Sequence, residues 1–189
     1  MNNNRPFLAD IEELRRRARQ DMDRGAVTAS YALDLTQAVD ILNKVLASEL
    51  VCVLRYKRHF YMAQGLHAEP IAQEFLQHAN DEQLHADQVA VRITQLGGAP
   101  NFNPAGMLER SVAEYSEGNS LIEMIQEDLV AERVVVQWYA EIARWFGDAD
   151  QTSKRLMEDL LAKEEEHADD LADLLVDLDV NPSTKGTIG

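Results

Sequence analysis

At 189 residues, 46% of them apolar and 27% charged, the chain has the length of one domain and enough apolar material to build a core without cross-links. Its 33 Asp and Glu against 18 Lys and Arg leave a net charge of −15, which repels nucleic acid and anionic membranes over most of the surface and makes cations the natural partners. A single cysteine, Cys52, excludes an internal disulfide, and there is neither a secretory start nor an apolar run of about 20 residues, so a cytoplasmic, membrane-free protein in a reducing compartment is expected.

Residues 1–34 read as an N-terminal helical extension. Residues 7–23 alternate acid and base, and Arg15, Arg16, Arg17 and Arg19 form a local basic run of the kind that touches phosphate in basic arms. Asp10, Glu12, Glu13, Asp21 and Asp23 offset that run, which favours a solvated or subunit-contacting helix. Gly25 is the expected stop. Thr36 is placed to cap the first long helix, running to about Gln64 and ending at Gly65. Pro70 then sits in the first turn of a second helix that ends at Gly97-Gly98. Residues 101–118, with Pro104, Gly106 and Gly118, form a long connection with room for one short helix near Met107 to Tyr115. A third helix is expected from Asn119 or Ser120 to Phe146-Gly147, and a fourth from Asp150 or Thr152 to about Asp179, stopped by Asn181-Pro182. Residues 181–189 lack apolar periodicity and are expected to be a flexible tail.

Helices of nearly 30 residues are about 40 Å long. A connection as long as 101–118 therefore suits a crossover to a parallel third helix, whereas the other two connections are short enough for antiparallel turns. The pattern is all-α: a four-helix bundle over residues 35–180 with one long crossover between its second and third helices.

Two apolar stripes are interrupted in the same way. In the fourth helix Met157, Leu160, Glu164, His167, Leu171, Leu174 and Leu178 recur in steps of three and four, on one face. In the second, Ile71, Phe75, His78, Glu82, His85, Val89, Ile93 and Leu96 do likewise. Both carry Glu-x-x-His pointing inward. Each is preceded by another glutamate on an apolar face, Glu49 lying 33 positions before Glu82 and Glu132 lying 32 before Glu164, and each of these is followed seven residues later by a tyrosine, Tyr56 and Tyr139.

A buried ionised carboxylate costs several kcal/mol or more unless it is paired or bound to a metal. Iron and manganese accept carboxylate and imidazole together, and residues three apart on a helix reach one ion. Four carboxylates and two histidines suffice for two divalent ions, each with one histidine and one glutamate of its own and two glutamates between them, and four negative charges then meet four positive ones. A lone Glu-x-x-His arises often by chance, but two copies on inward stripes with matched upstream Glu and Tyr do not. His78, one turn before Glu82, suits a hydrogen-bonded or partly exposed histidine better than an outer-shell or entry-route group. Tyr56 and Tyr139 suit core aromatics or donors to the acids, while Trp138 and Trp145 suit packing, and Cys52 a small apolar core position.

These residues resemble the ferritin-like superfamily, in particular bacterioferritin and its Dps-like relatives, over roughly Leu35 to Asp179. The resemblance makes Glu49 a terminal ligand on the first helix with Tyr56 beside the site. It makes Glu82 and His85 the bridging and terminal ligands of the second helix, Glu132 in Asp128-Leu129-Val130-Ala131-Glu132 the third-helix ligand, and Glu164 with His167 the bridging and terminal pair of the fourth. It implies two Fe(II) per subunit, oxidised by O2 or H2O2, and storage of Fe(III) in a homo-oligomeric cage. Gln83 stands where bacterioferritin carries its haem-ligating methionine, which speaks against haem. The longer crossover, the N-terminal helix and the short polar tail favour a dodecameric shell over a 24-mer, with a bacterioferritin-type site inside each subunit, whereas Dps proteins proper build theirs between subunits.

Three rivals stand beside this ferroxidase. A rubrerythrin-type oxidase needs a Cys-rich iron site that this chain lacks, and a manganese-catalase-type enzyme would disproportionate peroxide rapidly. A DNA-protecting Dps-like protein would bind through Arg15 to Arg19, against the net charge.

Overall fold

The structure, a computed structural model, describes residues 10–20, 22–65 and 68–180. The expected tail at 181–189 and the start of the expected first helix at residues 7–9 lie outside these. Among the described residues every regular element is helical. A short α1 (Ile11–Gln20) and a 3-10 turn (Met22–Arg24) precede four long helices, α2 (Leu35–Met62), α3 (Ala68–Gln95), α5 (Leu121–Phe146) and α6 (Gln151–Val180). The connection between α3 and α5 holds a single-turn helix, α4 (Met107–Arg110), shorter than the Met107 to Tyr115 segment available to it.

Local chemistry sets the helix ends. Asp34, not Thr36, caps α2, its carboxylate accepting the Gln37 amide at 3.0 Å. A charged acceptor is the stronger cap, so the helix starts one residue ahead of Thr36. Its other end comes at Met62, two residues short of Gln64. At the end of α3, Gly97 adopts φ 80° and the amides of Gly97 and Gly98 bond back to the carbonyls of Thr94 and Ile93 at 3.0 and 2.9 Å. This double closure needs a left-handed residue, which glycine supplies without strain. Ser120 caps α5 by accepting the Glu123 amide at 3.2 Å, and Asp150 accepts the Ser153 amide at 2.9 Å at the head of α6.

Helix α2 packs along α3, and α5 along α6, as two hairpins. Their buried faces form two apolar clusters. One is built on Leu42, Leu46, Val89, Ile93, Phe146 and Met157, the other on Phe75, Ile125, Met124, Leu121 and Leu171. Each large side chain withdrawn from water contributes about 1.5–3 kcal/mol, which is what allows the bundle to hold polar groups between the clusters. Two buried ion pairs tie the connections to this frame. Arg55 donates to Asp128 at 2.6 Å and to the Glu114 carbonyl at 2.7 Å, while His59 spans Asp128 (2.7 Å) and the Ser116 carbonyl (3.1 Å). Arg92 donates to Asp150 at 2.8 Å and to Ser153 Oγ at 2.8 Å, with Tyr31 donating to Asp150 at 3.0 Å.

Candidate metal centre

Each of the four long helices contributes to one buried cluster: Glu49 from α2, Glu82 and His85 from α3, Glu132 from α5, Glu164 and His167 from α6. None is more than 4% exposed. All six sequence-predicted ligand positions come together, and they do so as two overlapping sets. Glu49, Glu82, His85 and Glu164 form one, and Glu82, Glu132, Glu164 and His167 the other, with the ligand atoms of each set within 4.8 Å of one another. Glu82 and Glu164 belong to both.

The two sets are related by a near two-fold exchange of hairpins. His85 Nδ1 lies 3.0 Å from Glu164 Oε1, 3.5 Å from Glu49 Oε2 and 3.6 Å from Glu82 Oε2. His167 Nδ1 lies 3.3 Å from Glu164 Oε2 and 3.4 Å from Glu82 Oε1. Tyr139 donates to Glu49 at 2.5 Å, and Tyr56 donates to Glu132. Each tyrosine thus serves the glutamate of the other hairpin rather than the one seven residues before it. That crossing requires α2 and α5 to run antiparallel.

Most of the inward-facing atoms have no hydrogen-bond partner: Glu49 Oε2, Glu82 Oε1, His85 Nδ1, Glu132 Oε2, both oxygens of Glu164, and His167 Nδ1. Buried polar atoms are normally satisfied, so this concentration of unmet lone pairs calls for a cationic partner. Without one, protons must serve. Burial, followed by the charges of Glu82 and Glu164, pushes the carboxyls of Glu49 and Glu132 well above the ordinary range. Burial pushes Glu82 the same way, but contact with Glu49, His167 and His85 outweighs it and holds that carboxyl well below. Burial opposes a charge on His85 and His167, yet the facing carboxylates win. His85 is raised, and His167 is pushed up to about 11.

The donor set fits divalent iron or manganese: carboxylates with imidazoles at Nδ1, paired charges, and space shared between two glutamates. Supporting contacts orient it. The His167 tautomer that leaves Nδ1 free carries its proton on Nε2, 3.5 Å from Asp81 Oδ2. The His78 ring stacks on His167 with centroids 4.0 Å apart and meets the Tyr56 ring edge-on at 5.2 Å. A cavity of about 280 Å³, lined by Asp81, Leu84, His85, Asp159 and Lys163 among others, lies beside His85. Sequence reasoning missed Asp81, which adjoins Glu82 in the chain and whose signal was only that adjacency. It also missed Arg55 and His59, whose shared partner Asp128 falls one helical turn before Glu132. Gln83, at the position tied to haem, is half-buried and donates to Asp87 at 3.2 Å.

A bundle with one long crossover that draws a Glu from each of two helices and a Glu-x-x-His from each of the other two is the architecture of the ferritin-like di-metal carboxylate proteins. The chain belongs to the ferritin family, residues 39–180 matching the ferritin-like domain. Within that family it is similar to the bacterioferritin of Mycobacterium leprae (strain TN), with 32% identity over 130 residues, 68% of this chain and 77% of that protein. Among solved structures, the dodecameric thioferritin of Bacteroides fragilis, a bacterioferritin-related protein, superposes with a TM-score of 0.76 at 29% identity, covering 80% of this chain and 91% of that one. Dps from Thermosynechococcus elongatus shares the fold, with a TM-score of 0.71 at 22% identity over 74% of this chain and 90% of its own. No described helix is long and apolar enough to cross a membrane.

Proposed function

We propose that the protein is a ferroxidase of iron storage and detoxification, binding two Fe(II) per subunit as substrate at a site contained within the subunit. Glu82 and Glu164 bridge the ions. Glu49 and His85 complete one position, and Glu132 and His167 the other. The observation that carries this reading is the sharing of Glu82 and Glu164 by both ligand sets. Two ferrous ions held together supply two electrons, which with two protons reduce O2 to H2O2, or H2O2 to two water molecules. The chain's part is to hold the pair about 3.5–4 Å apart, to neutralise their charge with four carboxylates, and to leave positions open to the oxidant. Tyr56 and Tyr139 keep the terminal carboxylates aimed by donating to one oxygen of each, so that the other oxygen remains free for an ion.

Ferric product would pass to a mineral inside a homo-oligomeric cage. A dodecamer is the favoured assembly, in keeping with the name of the Bacteroides fragilis relative. Residues 35–180 would be the oxidising unit and residues 1–34 an extension of it, in the cytoplasm, where the lone Cys52 stays reduced. Within the basic run of α1, Arg16 and Arg17 reach Glu13 at 2.7 and 2.6 Å, and the net charge of −15 argues against a nucleic-acid role. Anaerobic titration with Fe(II), followed by mixing with O2 or H2O2, tests the proposal. At least two Fe(II) per subunit, rapid oxidation and further uptake by a shell are expected in the native chain. A Glu82→Ala, Glu164→Ala double variant that oxidised iron at the native rate would overturn it, and rapid peroxide disproportionation without iron uptake would point to a manganese-catalase-type enzyme instead.

A further inference from the structure

Beside the paired centre lies a second kind of cluster, made by Glu74 and His78 of α3 and Asp170 of α6. Glu74 and His78 are four residues apart and share one helix face, and Asp170 lies three residues after His167 on the face that meets them. His78 Nε2 stands 3.3 Å from Glu74 Oε1 and 3.7 Å from Asp170 Oδ2, and the three ligand atoms lie within 4.8 Å of one another. The imidazole is fully buried, while the side chains of Glu74 and Asp170 are 29% and 43% exposed. The histidine is therefore the floor of the cluster and the carboxylates its mouth.

Neither ring nitrogen of His78 has a hydrogen-bond partner. The approach of Glu74 and Asp170 to Nε2 is thus close without being a hydrogen bond. A fully buried imidazole nitrogen that stands this close to two carboxylates and meets neither in a hydrogen bond is placed to serve with them as a ligand to one cation. Atoms that each lie about 2.1 Å from one ion at ordinary coordination angles stand about 3.0–3.6 Å apart, close to the 3.3 and 3.7 Å that separate His78 Nε2 from the two carboxylates. Two carboxylates neutralise a dication, and the exposed side leaves room for water ligands.

We infer that Glu74, His78 and Asp170 form a third divalent-cation site, solvent-facing and separate from the buried pair, that takes a first-row ion such as ferrous, manganese, cobalt or zinc. Its three ligands are not those of the proposed ferroxidase centre. It is linked to that centre through the stacked rings of His78 and His167, which places a bound ion one side chain from the pair.

Equilibrium dialysis of the full chain against Co(II), which air does not oxidise under these conditions, tests the site by difference. The Glu74→Gln, Asp170→Asn variant alters partly exposed groups and should bind one ion per subunit fewer than the native chain. A crystal soaked in Co(II) should show anomalous scattering between the three side chains in the native protein and none in the variant. Equal stoichiometry in the two proteins, with no scattering at this position, would overturn the inference. In the Glu82→Ala, Glu164→Ala background the site should persist and still be lost on adding Glu74→Gln and Asp170→Asn. A native chain binding only one ion, lost with Glu74→Gln and Asp170→Asn, would sustain this site while sinking the paired one.

Discussion

Tyr139 donates a 2.5 Å hydrogen bond to Glu49, ninety positions earlier in the chain, and both side chains are buried. Tyr56 reaches Glu132 in the mirrored sense. The two hairpins thus hold each other's terminal carboxylates, and neither half of the bundle can orient its glutamate without the other.

Replacing Tyr139 by Phe should remove the one hydrogen bond that Glu49 has in the absence of metal. An acceptor left unsatisfied in the core costs about 1–3 kcal/mol. The midpoint of denaturant unfolding should fall in metal-free protein and fall less when Co(II) is present, because the ion then carries the charge that the tyrosine no longer meets. Equal losses in the two conditions would mean that the tyrosine only packs.

Shared and unshared glutamates should behave differently. Glu49→Gln should weaken one Co(II) of the pair and leave the other, whereas Glu82→Gln should weaken both. On the proposed assignment of both as direct ligands, losses beyond the roughly 10–100-fold typical of an outer-shell partner are expected. Binding isotherms showing the same pattern for both variants would contradict the bridging assignment.

The pH dependence of metal-free protein follows from the histidines. His167, ordinarily near 6.5, binds its proton more tightly in the folded state, its pKa pushed up to about 11, and His85 is raised as well. The folded state therefore holds more protons than the unfolded one above pH 6.5, and the stability this brings is present below that pH and is lost as pH climbs towards 11. Glu49 and Glu132, raised by burial, act in the same sense, and Glu82 is ionised in both states over this range. Metal must displace those protons, so the stabilisation gained on adding Co(II) should grow as pH rises. Thermal melts at pH 6 and pH 9, with and without the ion, would show it, and a metal-free protein no less stable at pH 9 than at pH 6 would refute it.

Asp128→Ala should be the most damaging change outside the centre. It leaves the Arg55 guanidinium, 2.6 Å from the lost carboxylate and buried, with no counter-ion, and breaking such a pair costs about 3–5 kcal/mol. It also loosens His59 and with it the crossover at Glu114 and Ser116. Unfolding should shift strongly while the Co(II) stoichiometry of the folded protein stays the same. A small shift would show that Arg55 finds another partner.

Periodicity made the long helices legible because each buries one stripe, and the Glu and His residues that interrupt those stripes stand out against leucine. The helix ends were less legible. Asp34 and Thr36 are both good caps, and only the backbone path shows which side chain meets an orphan amide. Asp128 could be placed beside Glu132 by register, but its partner Arg55 lies 73 residues away on α2 and carries no signal in a linear reading.

The composition and spacing of the chain alone determined an all-helical bundle, a long crossover, and six inward Glu and His residues in two matched sets. These are local properties, set by which residues recur every three or four positions. The resemblance already implied that Glu82 and Glu164 are shared; only the tertiary structure decided that each tyrosine crosses to the opposite hairpin and that Glu74, His78 and Asp170 meet at the edge. Those outcomes depend on the antiparallel register of one hairpin against the other, and register is set by how whole helix faces pack rather than by any short stretch of sequence.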